Sequence, residues 1–387
     1  MLLLFFAVTK IIVAVFKVLN RHSVADQCVW LAAMSDFAQQ RPMSKSGWRP
    51  EDQSRAGKPF TPIAGWIDVA LCQALLAAPL KLLVAIDGCA ESTAAFDFLV
   101  GDMLLRERDT TIEVLHIFDD GKVNLRREHT KDAIKAYVEN KLMSSVSSKR
   151  YRMTWKQKTA QVGDMICKHI GDVDASFVCM GFFGRKGKKD LHMLTSNLFE
   201  VLRHGRCSAI IFKDEDASMM PRDRPTKFVV SVSLNKAATK AFLDALHLSK
   251  PGDEIHVVYV RGYLEDEDSD YTAELRAKYC GFFEGLQETS TGVLHKFHDR
   301  QTEFHMIPKQ SRETVPQAVV RYADSIEADF LVVGTNAMRV EKGKGPVGSI
   351  SLQICMETER NVVVANWIDL DPRVYEKHIR RPSNAFG

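Results

Sequence analysis

Residues 175–181, Ala-Ser-Phe-Val-Cys-Met-Gly, and residues 328–334, Ala-Asp-Phe-Leu-Val-Val-Gly, decide the fold. Each is an apolar run of strand length opened by Ala and closed by Gly, and the two lie 153 residues apart. Residues 208–212 (Ser-Ala-Ile-Ile-Phe) and 361–365 (Asn-Val-Val-Val-Ala) recur at the same offset. An equal offset on both sides means that the loop and helix between the two strands are equally long in both halves, which marks an internal repeat.

Working outward, the first half offers strands at 82–86, 112–118, 151–155, 176–180 and 209–212, and the second at 228–232, 254–260, 303–307, 329–333 and 362–365. Between them lie amphipathic stretches: 131–145 with Ile134, Tyr137, Val138 and Leu142, and 236–248 with Ala238, Phe242, Ala245 and Leu246, at helical spacing. Strands alternating with helices imply parallel neighbours joined by right-handed crossovers. Nearly continuous apolar strands imply a sheet covered on both faces. The expected fold class is α/β: two tandem doubly wound domains, each a five-stranded parallel sheet with flanking helices.

The 387 residues leave room for two such cores, and a composition of 45% hydrophobic and 26% charged residues is that of a folded globular chain. A net charge of +3 is too mild for a nucleic-acid binder, so no nucleic-acid partner is expected. The eight cysteines show no Cys-x-x-Cys or paired Cys/His spacing; Cys179 and Cys355 fall in apolar runs, and no metal site is assigned.

The chain divides by composition into an apolar segment 1–24, a linker 25–62, a first domain 63–214 with a leading helix at 63–78, a second domain 225–368 and a tail 369–387. Residues 1–19 hold thirteen strongly apolar residues interrupted by Lys10 and Lys17. Membrane insertion is favoured by roughly 4–8 kcal/mol from these, against about 3 for a central Lys. The readings are a membrane anchor, a targeting peptide, or neither. The basic n-region of a secretory signal is missing ahead of Leu2. The expected location is the cytoplasm, with a tether through the amino terminus if it inserts.

The site is expected at the carboxyl edge of each sheet, where open α/β sheets hold ligands. There the residues resemble the universal stress protein family in tandem form, over about 80–214 and 225–367. The family motif is Gly-x2-Gly-x9-Gly-Ser/Thr after strand four, with an Asp ending strand one. The first half carries Ile86-Asp87-Gly88, then Gly181-Phe-Phe-Gly184 and Thr195-Ser196, with Thr195 where the third Gly belongs. The second half carries Ser233 in place of Asp, then Gly334, Ala337 in place of Gly, and Gly348-Ser349. Glycine amides approach phosphate closely, and a hydroxyl at a helix amino terminus adds a donor and partial positive charge. By the resemblance, Ile117 meets the adenine edge through its backbone, and the fold is adenine nucleotide alpha hydrolase-like. The adenosine end is better kept in the first half and the phosphate end in the second.

The resemblance implies ATP as cofactor, with Mg2+ only if ATP is bound, and an intrachain pseudo-dimer with strand five of each half at the contact; a homodimer is a further possibility. Both loops are basic (Arg185, Lys186, Lys188, Lys189; Arg339, Lys342, Lys344), a pattern that solvated loops also show. No catalytic base or nucleophile is assigned. The function expected is an ATP-binding stress-response or signalling module with at least one degenerate site. The alternatives are a non-binding scaffold, and a PP-loop enzyme that would need Ser-Gly-Gly-x-Asp-Ser where this chain has Asp87-Gly-Cys-Ala-Glu-Ser92. His116 and His256, in strand two of each half, are read as core or rim histidines, with His116 matched to Val258.

Overall fold

The computed structural model describes residues 75–103, 110–122, 124–145, 147–185, 194–213, 224–262, 269–288, 294–335 and 348–367, all within the compact unit Ile63–Gly387. The expectations for residues 1–62, for the tail and for Lys186, Lys188, Lys189, Ala337, Arg339, Lys342 and Lys344 lie outside the described residues. Of the leading helix, residues 75–77 are described and helical. Among the described residues no helix is long and apolar enough to cross a membrane.

Ten strands occur at the ten expected places. They are β1 (Lys81–Ala85), β2 (Thr111–Phe118), β3 (Tyr151–Gln157), β4 (Phe177–Gly181), β5 (Ser208–Phe212), β6 (Lys227–Ser231), β7 (Glu254–Arg261), β8 (Gln301–Pro308), β9 (Phe330–Thr335) and β10 (Asn361–Asn366). The principal helices are α1 (Ala90–Phe98), α2 (Lys131–Ser145), α3 (Val162–Val173), α4 (Ser196–His204), α5 (Lys236–Leu248), α6 (Asp270–Glu288), α7 (Val315–Ser325) and α8 (Ser349–Glu357). Local sequence explains several boundaries. Asn235 caps α5 through a 2.8 Å bond from the Ala238 amide, and Thr314 with Gln317 forms a capping box at α7. The repeat extends to the backbone: Asp174 and Glu327, 153 residues apart, both take left-handed φ of 54° where α3 and α7 give way to β4 and β9.

The expectation of two separate five-stranded sheets is corrected. The strands form one continuous sheet of ten, in the order β3-β2-β1-β4-β5-β10-β9-β6-β7-β8. Pairing is parallel throughout except between β5 and β10, which run antiparallel with Ile211 opposite Val362, Ile210 opposite Val363 and Ala209 opposite Val364. Ile210 and Val363 are repeat equivalents, so the pseudo-twofold axis relating the halves passes between them. The physical reason is that β5 and β10 are buried along their whole length. Left unpaired, each would present an apolar edge whose amides and carbonyls lack partners.

Alternate residues of each strand face opposite layers. One layer packs Leu82, Val84, Phe177, Phe228 and Val230 against α1, α2, α5 and α6; the other packs Leu83, Val178, Val229 and Val258 against α3, α4, α7 and α8. Aromatic rings cross the seam between halves: Phe98 lies 5.4 Å from Phe212 and 5.6 Å from Phe330, which stacks on Phe228 at 5.3 Å. Such pairs contribute about 0.5–1.5 kcal/mol each beyond area burial. Beside them the buried Asp244 of α5 accepts a 2.5 Å bond from Ser208 of β5 and pairs with Lys240.

In each half, crossovers leave toward opposite sides from adjacent strands, β1 and β4 in the first and β6 and β9 in the second. The crevice beyond their carboxyl ends is where the sheet has no connection to fill it.

Candidate functional site

The first half draws Asp87 and Arg185 together across that crevice. Asp87 closes β1, and its Oδ1 accepts from the Cys89 amide and the Ser92 hydroxyl, both at 3.0 Å. Its Oδ2 accepts from the Arg185 amide at 3.2 Å, and the Arg185 guanidinium stands 3.9 Å away. The Asp87 side chain is still 34% exposed and that of Arg185 20%, so the pair faces the crevice instead of the core. Arg185, grouped in the sequence with solvated loop charges, is thus part of the site's frame, as are Ser92 and Cys89. Their spacing from Asp87 shows the helix start, but only tertiary structure turns them inward.

Gly88 has φ of 82°, and a Cβ there would stand 2.5 Å from the Glu128 carbonyl. Glycine is required on both counts. Cys89 caps α1 through its Sγ, which donates to the Phe183 carbonyl at 3.4 Å. Burial, followed by the charge of Asp87, holds this thiol well above the usual range, so it is a protonated cap and not a nucleophile. Ile117 has a buried side chain near the end of β2, leaving its backbone as what it offers a ligand.

Two imidazoles adjoin the Asp87–Gly88 turn. His116 donates from Nδ1 to the Ile86 carbonyl at 2.8 Å, which fixes Nε2 as an acceptor, and that nitrogen is buried without a partner. Burial pushes the ring below its ordinary pKa, keeping it neutral. His129 Nδ1 is likewise buried and unpartnered, 3.2 Å from the Cβ position of Gly88. His129 went unnoticed in the sequence because it sits on a turn between β2 and α2, far from any motif. The strand register pairs Leu82 with Ile112 and Phe228 with Ile255, so the repeat equivalent of His116 is Tyr259, which corrects the match to Val258.

The first glycine of each motif makes room for a helix. A Cβ on Gly181 would meet Glu91 Cβ and the Ser92 amide at 2.9 Å, and one on Gly334 would meet the Ala237 carbonyl oxygen at 2.1 Å. Both glycines admit the first turn of a helix, α1 or α5, against the strand end. Positive φ is confined, among described glycines, to Gly88 and Gly252. Gly184 is open, with only Asp87 Oδ2 at 3.5 Å from its Cβ position, so a ligand has room there.

At the helix corner of the first half, Thr195 caps α4 by accepting from the Leu198 amide at 3.4 Å, and Ser196 is the exposed first helical residue. In the second half Gly348 takes the N-cap place with φ of −58° and no side-chain cap, and Ser349 opens α8 itself. Gly348 thus lies outside the left-handed region, and α8 begins at Ser349. Gly348 is tied to β9 by a 3.2 Å bond from its amide to Thr335 Oγ1, and Ser351 Oγ donates to the Gly334 carbonyl at 3.0 Å.

At the mouth of the second half, the described residues bond to one another. Ser233 Oγ accepts from Asn235 at 2.5 Å, Tyr279 OH donates to the Ser233 carbonyl at 3.4 Å, and the Leu234 amide donates to Tyr271 OH at 3.1 Å. Tyr271 and Tyr279 of α6 thus bond the backbone around Ser233, which is partly exposed, as Asp87 is in the first half.

Residues 80–213 match the model of the universal stress protein family. The solved universal stress protein from Archaeoglobus fulgidus DSM 4304 is similar over 74% of this chain and 98% of its own, with 18% identity and a TM-score of 0.54. A putative universal stress protein from Pseudomonas aeruginosa UCBPP-PA14 aligns over 76% of this chain and 95% of its own, with 15% identity and a TM-score of 0.49. A universal stress protein family protein from Arabidopsis thaliana, solved with AMP bound, aligns over 38% of this chain and 97% of its own, with 17% identity and a TM-score of 0.26. No curated protein sequence matches significantly. The adenine nucleotide alpha hydrolase-like designation is corrected by the family match and the first structural match. The fold is the flavodoxin-like α/β arrangement of universal stress proteins, with both halves in one sheet.

Proposed function

With residues 80–213 a universal stress protein domain, we propose that the chain is a regulatory module that binds an adenine nucleotide in its first half and uses its second half as a structural partner. Domains of this family serve stress-response and regulatory roles and are in general not catalysts. The observation that carries the proposal is the partly exposed Asp87–Arg185 pair at the crevice between β1 and β4.

The donor set suits the two ends of such a ligand. Asp87 is the charged acceptor for a ribose hydroxyl or an adenine amino group, and the unpartnered His116 and His129 nitrogens lie behind it. Ile117 offers backbone to the adenine edge. Toward the phosphates, Gly184 leaves space, Arg185 offers a guanidinium, and the α4 terminus headed by Thr195 and Ser196 offers amides. ATP is the nucleotide favoured, and Mg2+ would accompany its phosphates. In the second half Gly334, Gly348 and Ser349 keep the phosphate corner, while Ser233 lacks the carboxylate of Asp87 and its hydroxyl is engaged by Asn235. That loss of a charged acceptor favours a scaffold role for this half.

Equilibrium titration of the full chain with a fluorescent ATP analogue tests the reading. Micromolar affinity is expected, weakened at least tenfold by Asp87→Ala and less than twofold by Ser233→Ala. Equal losses from the two changes, or no binding by the parent, would refute it.

A further inference from the structure

The outer edge of the second half holds a group of side chains that the nucleotide reading does not use. The register of β7 and β8 pairs His256 with Glu303 and Val258 with His305. Residues two apart in a strand share a face, so His256, Glu303 and His305 project to one side, the side on which Val258 packs toward α7. β8 ends the sheet, and among the described residues no strand lies beyond it.

The donor atoms converge. His256 Nδ1 lies 3.1 Å from His305 Nε2, and His305 Nε2 lies 3.2 Å from a Glu303 carboxylate oxygen. One ligand atom from each of the three falls within 4.8 Å of the others. At zinc–nitrogen distances of about 2.0–2.1 Å and tetrahedral angles, neighbouring ligand atoms stand about 3.3 Å apart. The spacing is therefore that of a ligand set.

Hydrogen bonding alone accounts poorly for the arrangement. His256 Nδ1 faces both His305 Nε2 and Tyr322 OH, each at 3.1 Å, while an imidazole nitrogen offers one lone pair or one proton. Behind it, His256 Nε2 is 3.5 Å from the Glu254 carboxylate. A carboxylate on the far nitrogen of a histidine is the support that orients metal-bound imidazoles and raises their basicity. The Tyr322 hydroxyl, 3.1 Å from His256 Nδ1, stands beside the group as a hydrogen-bond partner. The His256, His305 and Glu303 side chains are 13%, 29% and 66% exposed, which leaves a way in from solvent.

We propose that His256 Nδ1, His305 Nε2 and the Glu303 carboxylate bind one divalent transition-metal ion, zinc foremost, with water in the fourth position beside Tyr322. Two imidazoles and one carboxylate suit zinc, cobalt, nickel or copper and do not suit calcium or magnesium, which take oxygen ligands. The ion would clip β8 to β7 at the edge of the sheet.

The test uses the full chain freed of metal by a chelator. Zn2+ is titrated in competition with a chromophoric chelator, and Co2+ is followed by its visible spectrum. One equivalent is expected, with d–d bands of a nitrogen and oxygen tetrahedral site and no sulfur-to-cobalt absorption. His305→Gln should abolish binding, and Glu303→Gln, at an exposed position that leaves the fold intact, should raise Kd at least tenfold. Glu254→Gln should raise it about 10- to 100-fold, as losses of such support do, whereas a merely structural Glu254 predicts no change. Absence of binding by the parent, sulfur-to-cobalt bands, or unchanged stoichiometry and Kd in Glu303→Gln and His305→Gln would each overturn the proposal.

Discussion

Replacing Gly334 by Ala tests what the first glycine of the strand-four motif is for. The added Cβ would stand 2.1 Å from the Ala237 carbonyl oxygen, 2.3 Å from its carbon and 2.8 Å from the Ala238 amide nitrogen, all backbone atoms of the first turn of α5. Backbone cannot swing aside as a side chain can, so α5 must withdraw by roughly 1 Å to restore contact distance. Ala238, Ala241, Phe242, Ala245 and Leu246 pack this helix into the core. A gap of that size forfeits about a quarter to a half of each dispersion contact it opens. The cost is set at about 3 kcal/mol, the upper end for overpacking, or a fall in Tm of roughly 6–12 °C. Gly348→Ala is the control: its φ is −58° and the nearest atom to its Cβ position is Ser351 Oγ at 3.6 Å, so it should cost about 0.5–1 kcal/mol through the poorer N-cap. Thermal and urea unfolding by circular dichroism, with and without ATP, reads both. The Gly334→Ala loss should be equally large in either condition, because the clash is with a helix and not with a ligand. A Gly334→Ala melt within 2 °C of the parent, or one matching Gly348→Ala, would refute the close approach of α5.

Two further outcomes follow from buried polar groups. Burial, reinforced by Lys240 and Lys296, pushes the His247 imidazole down to about 4 from an ordinary 6.5; the unfolded chain therefore binds the proton first, and stability should fall as pH drops from about 6.5 to 4, a slope that His247→Gln should flatten in urea midpoints measured across that range. Cutting the backbone between Met220 and Thr226 should leave the halves copurifying, because the β5–β10 pairing and the Ser208–Asp244 bond cross the seam; two independent monomers on sizing would contradict the continuous sheet.

The sequence alone determined the ten strands, the two long amphipathic helices and the repeat, because apolar periodicity and a constant offset are local properties that survive without coordinates. It also located the edge at which Asp87, Gly181, Gly334 and the helix corners at Thr195 and Gly348 collect, since these follow directly on strands or open helices. Tertiary structure decided the rest. Whether two sheets stay apart or join depends on which edges find partners, and only folding brings Ile210 opposite Val363, 153 positions away. The roles of the glycines likewise depend on what approaches them: Gly334 admits the α5 backbone, and Gly88 admits the Glu128 carbonyl. Arg185 lies 98 residues from Asp87 and His305 lies 49 from His256, separations at which the local pattern carries no sign of contact. Charge and chemistry are written in the chain, but the distance between two donors is set by packing, and packing is not local.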